Sequence, residues 1–157
     1  MPPVLLLNLD EIDLNSVAYD TDAIENVNPH RFEMRQLDTI VHFDAEKDVI
    51  LGYKDVGENE FWVRGHIPGR PLMPGVLMVE AAAQLASFFA KVVSCEDRFF
   101  GFGGIENVKF RGQVAPGQRL YLLGKFLEKR PRRFKMAAQG IVDNQLVFEG
   151  TIIGMPM

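Results

Sequence analysis

The chain has 157 residues, 47% of them hydrophobic and 24% charged, and a net charge of −4, with a mean hydropathy of zero. That balance fits one soluble domain and excludes a disordered or collagen-like chain. The single cysteine, Cys95, can form no intrachain disulfide, and no basic segment precedes the short apolar run from Val4 to Leu7, so a reducing, cytoplasmic address is expected.

The charge is unevenly placed. Residues 1–60 carry 14 acidic and 4 basic side chains, whereas residues 61–157 carry 7 and 13. A basic second half can attract an acidic partner or a phosphate-bearing ligand, or simply compensate the first half within one folded surface. With a negative total and no recognition motif, nucleic acid is not an expected partner.

Residues 1–18 mix apolar side chains with Asp10, Glu11 and Asp13 without a clear period. They are expected to be an N-terminal extension, leaving residues 19–157 as a single domain. Asp22 is predicted to cap a short helix reaching about Val27, which Pro29 ends by pushing its predecessor out of the α region. Leu37–Phe43 and Val49–Val56 are rich in β-branched and aromatic residues and flank the polar Asp44–Asp48, so they predict a hairpin. Phe61–Val63 predicts a third, shorter strand. Gly65, Pro68, Gly69, Pro71, Pro74 and Gly75 then crowd into eleven residues, which predicts a rigid loop.

From Pro74, suited to a first helical position, no breaker interrupts the chain until about Val93. The polar residues of this stretch, Glu80, Gln84, Ser87 and Lys91, are spaced 4, 3 and 4 apart and fall on one narrow stripe. Such a helix must be buried nearly all round. It is long enough to cross a bilayer, but its charged residues and the lack of any other membrane-like segment favour burial inside a curved sheet. The strands for that sheet follow a glycine-rich break at Gly101–Gly104: Ile105–Arg111, Arg119–Leu127, Phe134–Val142 and Leu146–Ile153. Leu120, Leu122 and Phe126 alternate onto one face, as do Phe134, Met136 and Ala138, and Asp143-Asn144 predicts a tight hairpin turn. The class is therefore α+β, one long helix wrapped by an antiparallel sheet. Phosphate-binding loops, a nucleophile elbow and paired metal-ligand spacings are absent from the sequence.

Two titratable residues stand out. His66 lies in the glycine-proline loop directly before the long helix, and Glu80 lies six residues, about 9 Å, beyond Pro74 along the helix axis. A carboxyl on an apolar helix is desolvated unless it is paired or protonated; Glu80 is either hydrogen-bonded to a partner strand or to Gln84, or it serves as a general acid. A histidine base with a glutamic acid can move protons at two neighbouring carbons. Gly75 opens the helix, where free backbone N–H groups and the positive dipole end can polarise a carbonyl oxygen. Base, acid and oxyanion donor together suit elimination or addition of water beta to a carbonyl.

The stretch from Gly65-His66-Ile67-Pro68-Gly69 through Pro74-Gly75 to Glu80 and Gln84 resembles the FabZ-type (3R)-hydroxyacyl-[acyl-carrier-protein] dehydratases. The resemblance extends more weakly from Pro29-His30-Arg31-Phe32 to Phe110-Arg111 and Pro116-Gly117, covering roughly residues 22–154. It implies a hot-dog fold and a water elimination without metal or cofactor, in fatty acid biosynthesis. It also implies His66 as the base at C2, Glu80 as the acid at the C3 hydroxyl, Gly75 as the amide holding the thioester carbonyl, and Gln84 in support. The implied partner is an acyl carrier protein bearing a 3-hydroxyacyl chain. His66 and Glu80 would come from different subunits of a homodimer, and such dimers often assemble as trimers into hexamers.

The chain departs from the family where Glu33, Met34, Arg35, Gln36, Leu37, Asp38 and Thr39 follow Phe32, where Gly112-Gln113 replaces Arg-Pro, and where Gln118 replaces an acid. Phe61, Trp62, Phe88, Phe89, Phe99, Phe100 and Phe102 are available to line an acyl tunnel. A basic cluster around Pro131, or Arg70, could dock an acidic carrier. Two alternatives stay open: a hot-dog thioesterase using Glu80 toward water at C1, and a non-catalytic acyl-binding subunit.

Overall fold

The computed structural model describes residues 3–94 and 98–157; Cys95 lies outside them. In chain order the elements are α1 (Thr21–Val27), β1 (Thr39–Asp44), β2 (Val49–Asp55), α2 (Gly75–Ser94), β3 (Phe100–Phe110), β4 (Arg119–Arg130), β5 (Arg133–Val142) and β6 (Gln145–Pro156). The strands form one sheet in the order β1-β2-β4-β5-β6-β3, and every neighbouring pair is antiparallel. The expected α+β, hot-dog arrangement is what forms.

The sheet curls round α2 because α2 is apolar on almost every side. Leu85, Phe88 and Phe89 are fully buried there against Leu120, Leu122, Phe126, Met136 and Phe148 from the strands. The helix is long and apolar enough to cross a membrane, yet most of its apolar surface is buried within the domain. Asp143 and Asn144 turn β5 into β6 with φ values of 49° and 63°, the left-handed pair of a type I′ turn.

Four expectations are corrected in detail. Asp20, not Asp22, caps α1, its carboxylate accepting from the Ala23 amide, so the helix begins two positions earlier than expected. β1 begins at Thr39 rather than Leu37, because Phe32–Met34 takes a 3-10 turn and its backbone bonds are not made with a strand. Phe61–Val63 forms turns, not a strand; Val63 and His66 donate back to the carbonyls of Glu60 and Trp62, and buried Trp62 anchors the loop. Gly101–Gly104 is not a break. It lies inside β3, where the register shifts between Phe102 and Gly104. A Cβ on Gly101 or Gly103 would meet the side chains of Met157 or Met155 at 2.6 and 2.8 Å, so these glycines serve strand-to-strand packing.

Residues 5–14 lie on the outer face of the sheet. Leu5, Leu6, Leu7, Leu9, Ile12 and Leu14 pack over Val41, Leu51, Leu123 and Ile141. Gln139 pins the segment at both ends of its amide, accepting from the Leu6 N–H at 2.8 Å and donating to the Val4 carbonyl at 2.9 Å. Farther along, Ala18 and Tyr19 bond the backbone of Ile40 and so partly cover the outer edge of β1. The opposite edge, β3, has no such cover among the described residues and exposes Phe102, Ile105 and Phe110.

Candidate active site

The loop before α2 is built by its prolines and glycines. Ile67-Pro68-Gly69-Arg70 is a tight turn closed by bonds in both directions between Ile67 and Arg70, with Gly69 at φ +78°, the positive-φ position of a type II turn that follows proline. Met73 is buried and donates to the Val114 carbonyl at 2.7 Å, which moors the loop to the sheet. His66 is exposed on this loop, and its Nδ1 lies 2.7 Å from the Leu72 carbonyl oxygen. A carbonyl oxygen can only accept, so Nδ1 carries the hydrogen and, in the neutral ring, Nε2 is the nitrogen with the lone pair.

Glu80 sits one and a half turns into α2 and opens into a cavity of about 150 Å³. The walls are mostly apolar: Ala83 of α2, Phe100 and Phe102 of β3, and Phe134 and Ile152 from β5 and β6. Its Oε1 accepts a hydrogen bond from Gln84 Nε2 at 2.8 Å. Gln84 is almost fully buried and is held in turn by the Gln36 N–H, which donates to its Oε1 at 2.8 Å, and by the Met34 carbonyl, which accepts from its Nε2 at 2.8 Å. The hydrogen bond between Glu80 and Gln84 that the sequence left open as one alternative is thus present, and it leaves the carboxyl facing the cavity.

The expected residues are not all brought together within one chain. Glu80 and Gln84 are neighbours on α2, whereas His66 does not line the Glu80 cavity. Gly75 is the first residue of α2, where backbone N–H groups lack intrahelical partners. The ring of Phe110 lies over it: a Cβ at Gly75 would meet that ring at 2.9 Å. Space above its α-carbon therefore goes to an aromatic ring of this chain rather than to an approaching ligand.

Of the aromatics considered as tunnel lining, Phe99, Phe100 and Phe102 line the cavity. Trp62, Phe88 and Phe89 are ordinary core and Phe61 is exposed. The basic hairpin tip is partly compensated: Lys129 pairs with Asp48, Arg130 and Arg133 share Glu128, and Lys135 pairs with Glu106. Arg70 follows His66 on this loop, and among the described residues its guanidinium donates to the Gln113 amide oxygen at 3.1 Å. Among the described residues no group of three or more His, Cys, Asp or Glu converges as a metal site.

One residue of the site escaped sequence reasoning. His30 lines the same cavity as Glu80, with its Nε2 3.6 Å from Glu80 Oε1. Burial holds its pKa below the ordinary 6.5, with the Glu80 charge acting in the opposite direction. The signal was there in Pro29-His30-Arg31-Phe32, but fifty residues separate His30 from Glu80 and nothing in the local spacing links them.

The comparisons with known proteins agree with this architecture. The FabA-like domain model matches residues 28–151. A 3-hydroxyacyl-[acyl-carrier-protein] dehydratase FabZ from Lawsonia intracellularis is 42% identical over 130 residues, 79% of this chain and 83% of that protein. The FabZ protein of Sorangium cellulosum is 37% identical over 140 residues, covering 87% and 90%. Among solved structures, the dehydratase heterocomplex ApeI:P from Xenorhabdus doucetiae superposes with a TM-score of 0.72 at 13% identity, covering 85% of this chain and 90% of that one. A hypothetical thioesterase with coenzyme A from Streptococcus pneumoniae superposes with a TM-score of 0.63 at 8% identity, covering 87% and 96%. These structures share the fold. The curated relatives go further, and on their evidence the chain belongs to the FabA-like family and is a dehydratase of the FabZ type.

Proposed function

We propose that this chain removes water from a (3R)-3-hydroxyacyl chain carried on acyl carrier protein, giving the trans-2-enoyl thioester in fatty acid biosynthesis, in the cytoplasm. His66 Nε2 takes the C2 proton, and the electron pair released forms the C2–C3 double bond. The C3–O bond breaks as the Glu80 carboxyl delivers its proton to the departing hydroxyl, which leaves as water. The first amides of α2, beginning at Gly75, hold the thioester oxygen as negative charge builds on it. Gln84 supports the acid, and no metal or cofactor takes part.

The observation that carries this reading is Glu80, a hydrogen-bonded carboxyl at an apolar cavity able to take an acyl chain. Since His66 of the same chain does not line that cavity, the base is supplied by a second copy in a homodimer. The bare β3 edge with Phe102, Ile105 and Phe110 exposed suits antiparallel pairing with its symmetry mate, and three such dimers make a hexamer. Residues 1–18 act as an extension of a single domain spanning 19–157. Arg70, close in sequence to His66, and the partly compensated hairpin tip are the charges that would dock an acidic carrier.

Mass spectrometry of the protein incubated with 3-hydroxyacyl and trans-2-enoyl chains on carrier protein tests the reading. Loss or gain of one water is expected, in either direction. Cleavage of the thioester instead would establish thioesterase chemistry, and no change with any chain length would leave an acyl-binding subunit.

A further inference from the structure

His30 is the other titratable side chain in the Glu80 cavity, and the elimination described above gives it no task. It is firmly placed. Arg31 donates from one guanidinium nitrogen to the carbonyls of Asn28 and His30 at 2.9 and 2.8 Å, and from the other to Glu25 at 2.8 Å, stapling the segment to the end of α1. Asn28 in turn donates to the Gln84 carbonyl on α2 at 2.9 Å.

The two nitrogens of His30 are in different settings. Nε2 faces Glu80 Oε1 at 3.6 Å, while Nδ1 is buried and has no hydrogen-bond partner among the described residues. A hydrogen on Nδ1 would be buried unpaired, so the neutral ring carries its hydrogen on Nε2, pointing at Glu80. The charges around it agree: burial and the cations Lys91 on α2 and Arg31 disfavour protonation, against Glu80 alone in favour, and the β3, β5 and β6 walls of the cavity bring no charged side chain.

Gln84 Nε2 approaches the same oxygen at 2.8 Å. Oε1 of Glu80 is thus addressed by two nitrogens, and among the described residues no hydrogen bond reaches Oε2. We propose that His30 is a positioning residue for the acid: its Nε2–H and the Gln84 amide together hold Oε1, so that Oε2 is the oxygen that carries the proton and gives it to the leaving hydroxyl. This rests on Glu80 being the acid. The 3.6 Å separation exceeds a hydrogen bond, so the proposal requires it to shorten in the substrate complex, as contacts in empty sites tighten on binding.

The test compares kcat, KM and the pH–rate profile of His30→Phe, His30→Gln, Glu80→Gln and the double variant His30→Phe/Glu80→Gln on a 3-hydroxyacyl carrier-protein substrate. His30→Phe is expected to lower kcat by about 10- to 100-fold, the scale of a misplaced catalytic group, with KM nearly unchanged. The alkaline limb of kcat should move to higher pH, because a donor to the charged carboxylate has been removed and the proton is held longer. His30→Gln, whose amide nitrogen reaches the same oxygen, should recover most of kcat and return the limb. In the Glu80→Gln background His30→Phe should cost nothing further. An unmoved alkaline limb, or an equal loss in both backgrounds, would overturn the proposal. Near-wild-type turnover in Glu80→Gln alone would remove the acid itself and the proposal with it. If His30→Phe does not assemble, His30→Met carries the same comparison.

Discussion

Gln84 binds the Gln36 N–H, the Met34 carbonyl and the Glu80 carboxyl with one side chain. The chain turns after Phe32 so that backbone groups of Met34 and Gln36 meet the Gln84 amide, with Arg35 tied to Glu25 and Asp38. Gln84→Leu leaves the buried Gln36 N–H unsatisfied, at about 1–3 kcal/mol, and the partly buried Met34 carbonyl without its partner at a smaller cost. Urea denaturation should therefore show a loss of at least about 1 kcal/mol, and an unchanged midpoint would show that these bonds are replaced by others. His30 gives a second expectation at this scale. Its folded pKa lies below 6.5, so the unfolded chain binds that proton more readily and stability falls as pH drops below about 6.5, returning above it. In His30→Gln this slope should flatten; a melting-temperature series identical to the parent's across that range would contradict the assignment.

At the scale of elements, the long helix and the C-terminal strands were legible because each has a period and a boundary marker. The stripe Glu80, Gln84, Ser87 and Lys91 announced α2, and Asp143-Asn144 announced the last hairpin. Phe61–Val63 was misread because three apolar residues satisfy a strand pattern, while backbone bonds to Glu60 and Trp62 decide for a turn. The glycines at 101–104 were misread because their purpose, room for Met155 and Met157, is a tertiary fact. Glu80, Gln84 and His66 could be picked out locally, but His30 could not, since only the packing of the α1 end against α2 brings it in. The N-terminal segment is a similar case: its leucines have no helical or strand period because they follow the outer sheet surface. Deleting residues 1–14 exposes Val41, Leu51, Leu123 and Ile141. Their apolar cover contributes about 1.5–3 kcal/mol per fully buried side chain and less for half-buried ones. The shortened protein should lose at least about 2 kcal/mol in denaturant and bind an apolar dye, while an equally stable protein would make the segment a passive tail.

For the whole molecule, the sheet order leaves β3 as an apolar edge that none of the described residues covers, and His66 does not line the Glu80 cavity of its own chain. The two-fold assembly we propose, in which each copy would lend His66 to the other's Glu80, accounts for both features and would make catalysis and assembly a single property. Separately, His66→Ala and Glu80→Gln should each lower turnover about 100-fold or more. The most direct measurement is to unfold these two inactive variants together, refold them in equal amounts, and assay dehydration. Half of the dimers are then mixed, and each mixed dimer has one site with both defects and one with neither, so about a quarter of the parent activity should return. Activity no greater than that of the separate variants, with mixed dimers shown to be present, would contradict a site shared between subunits.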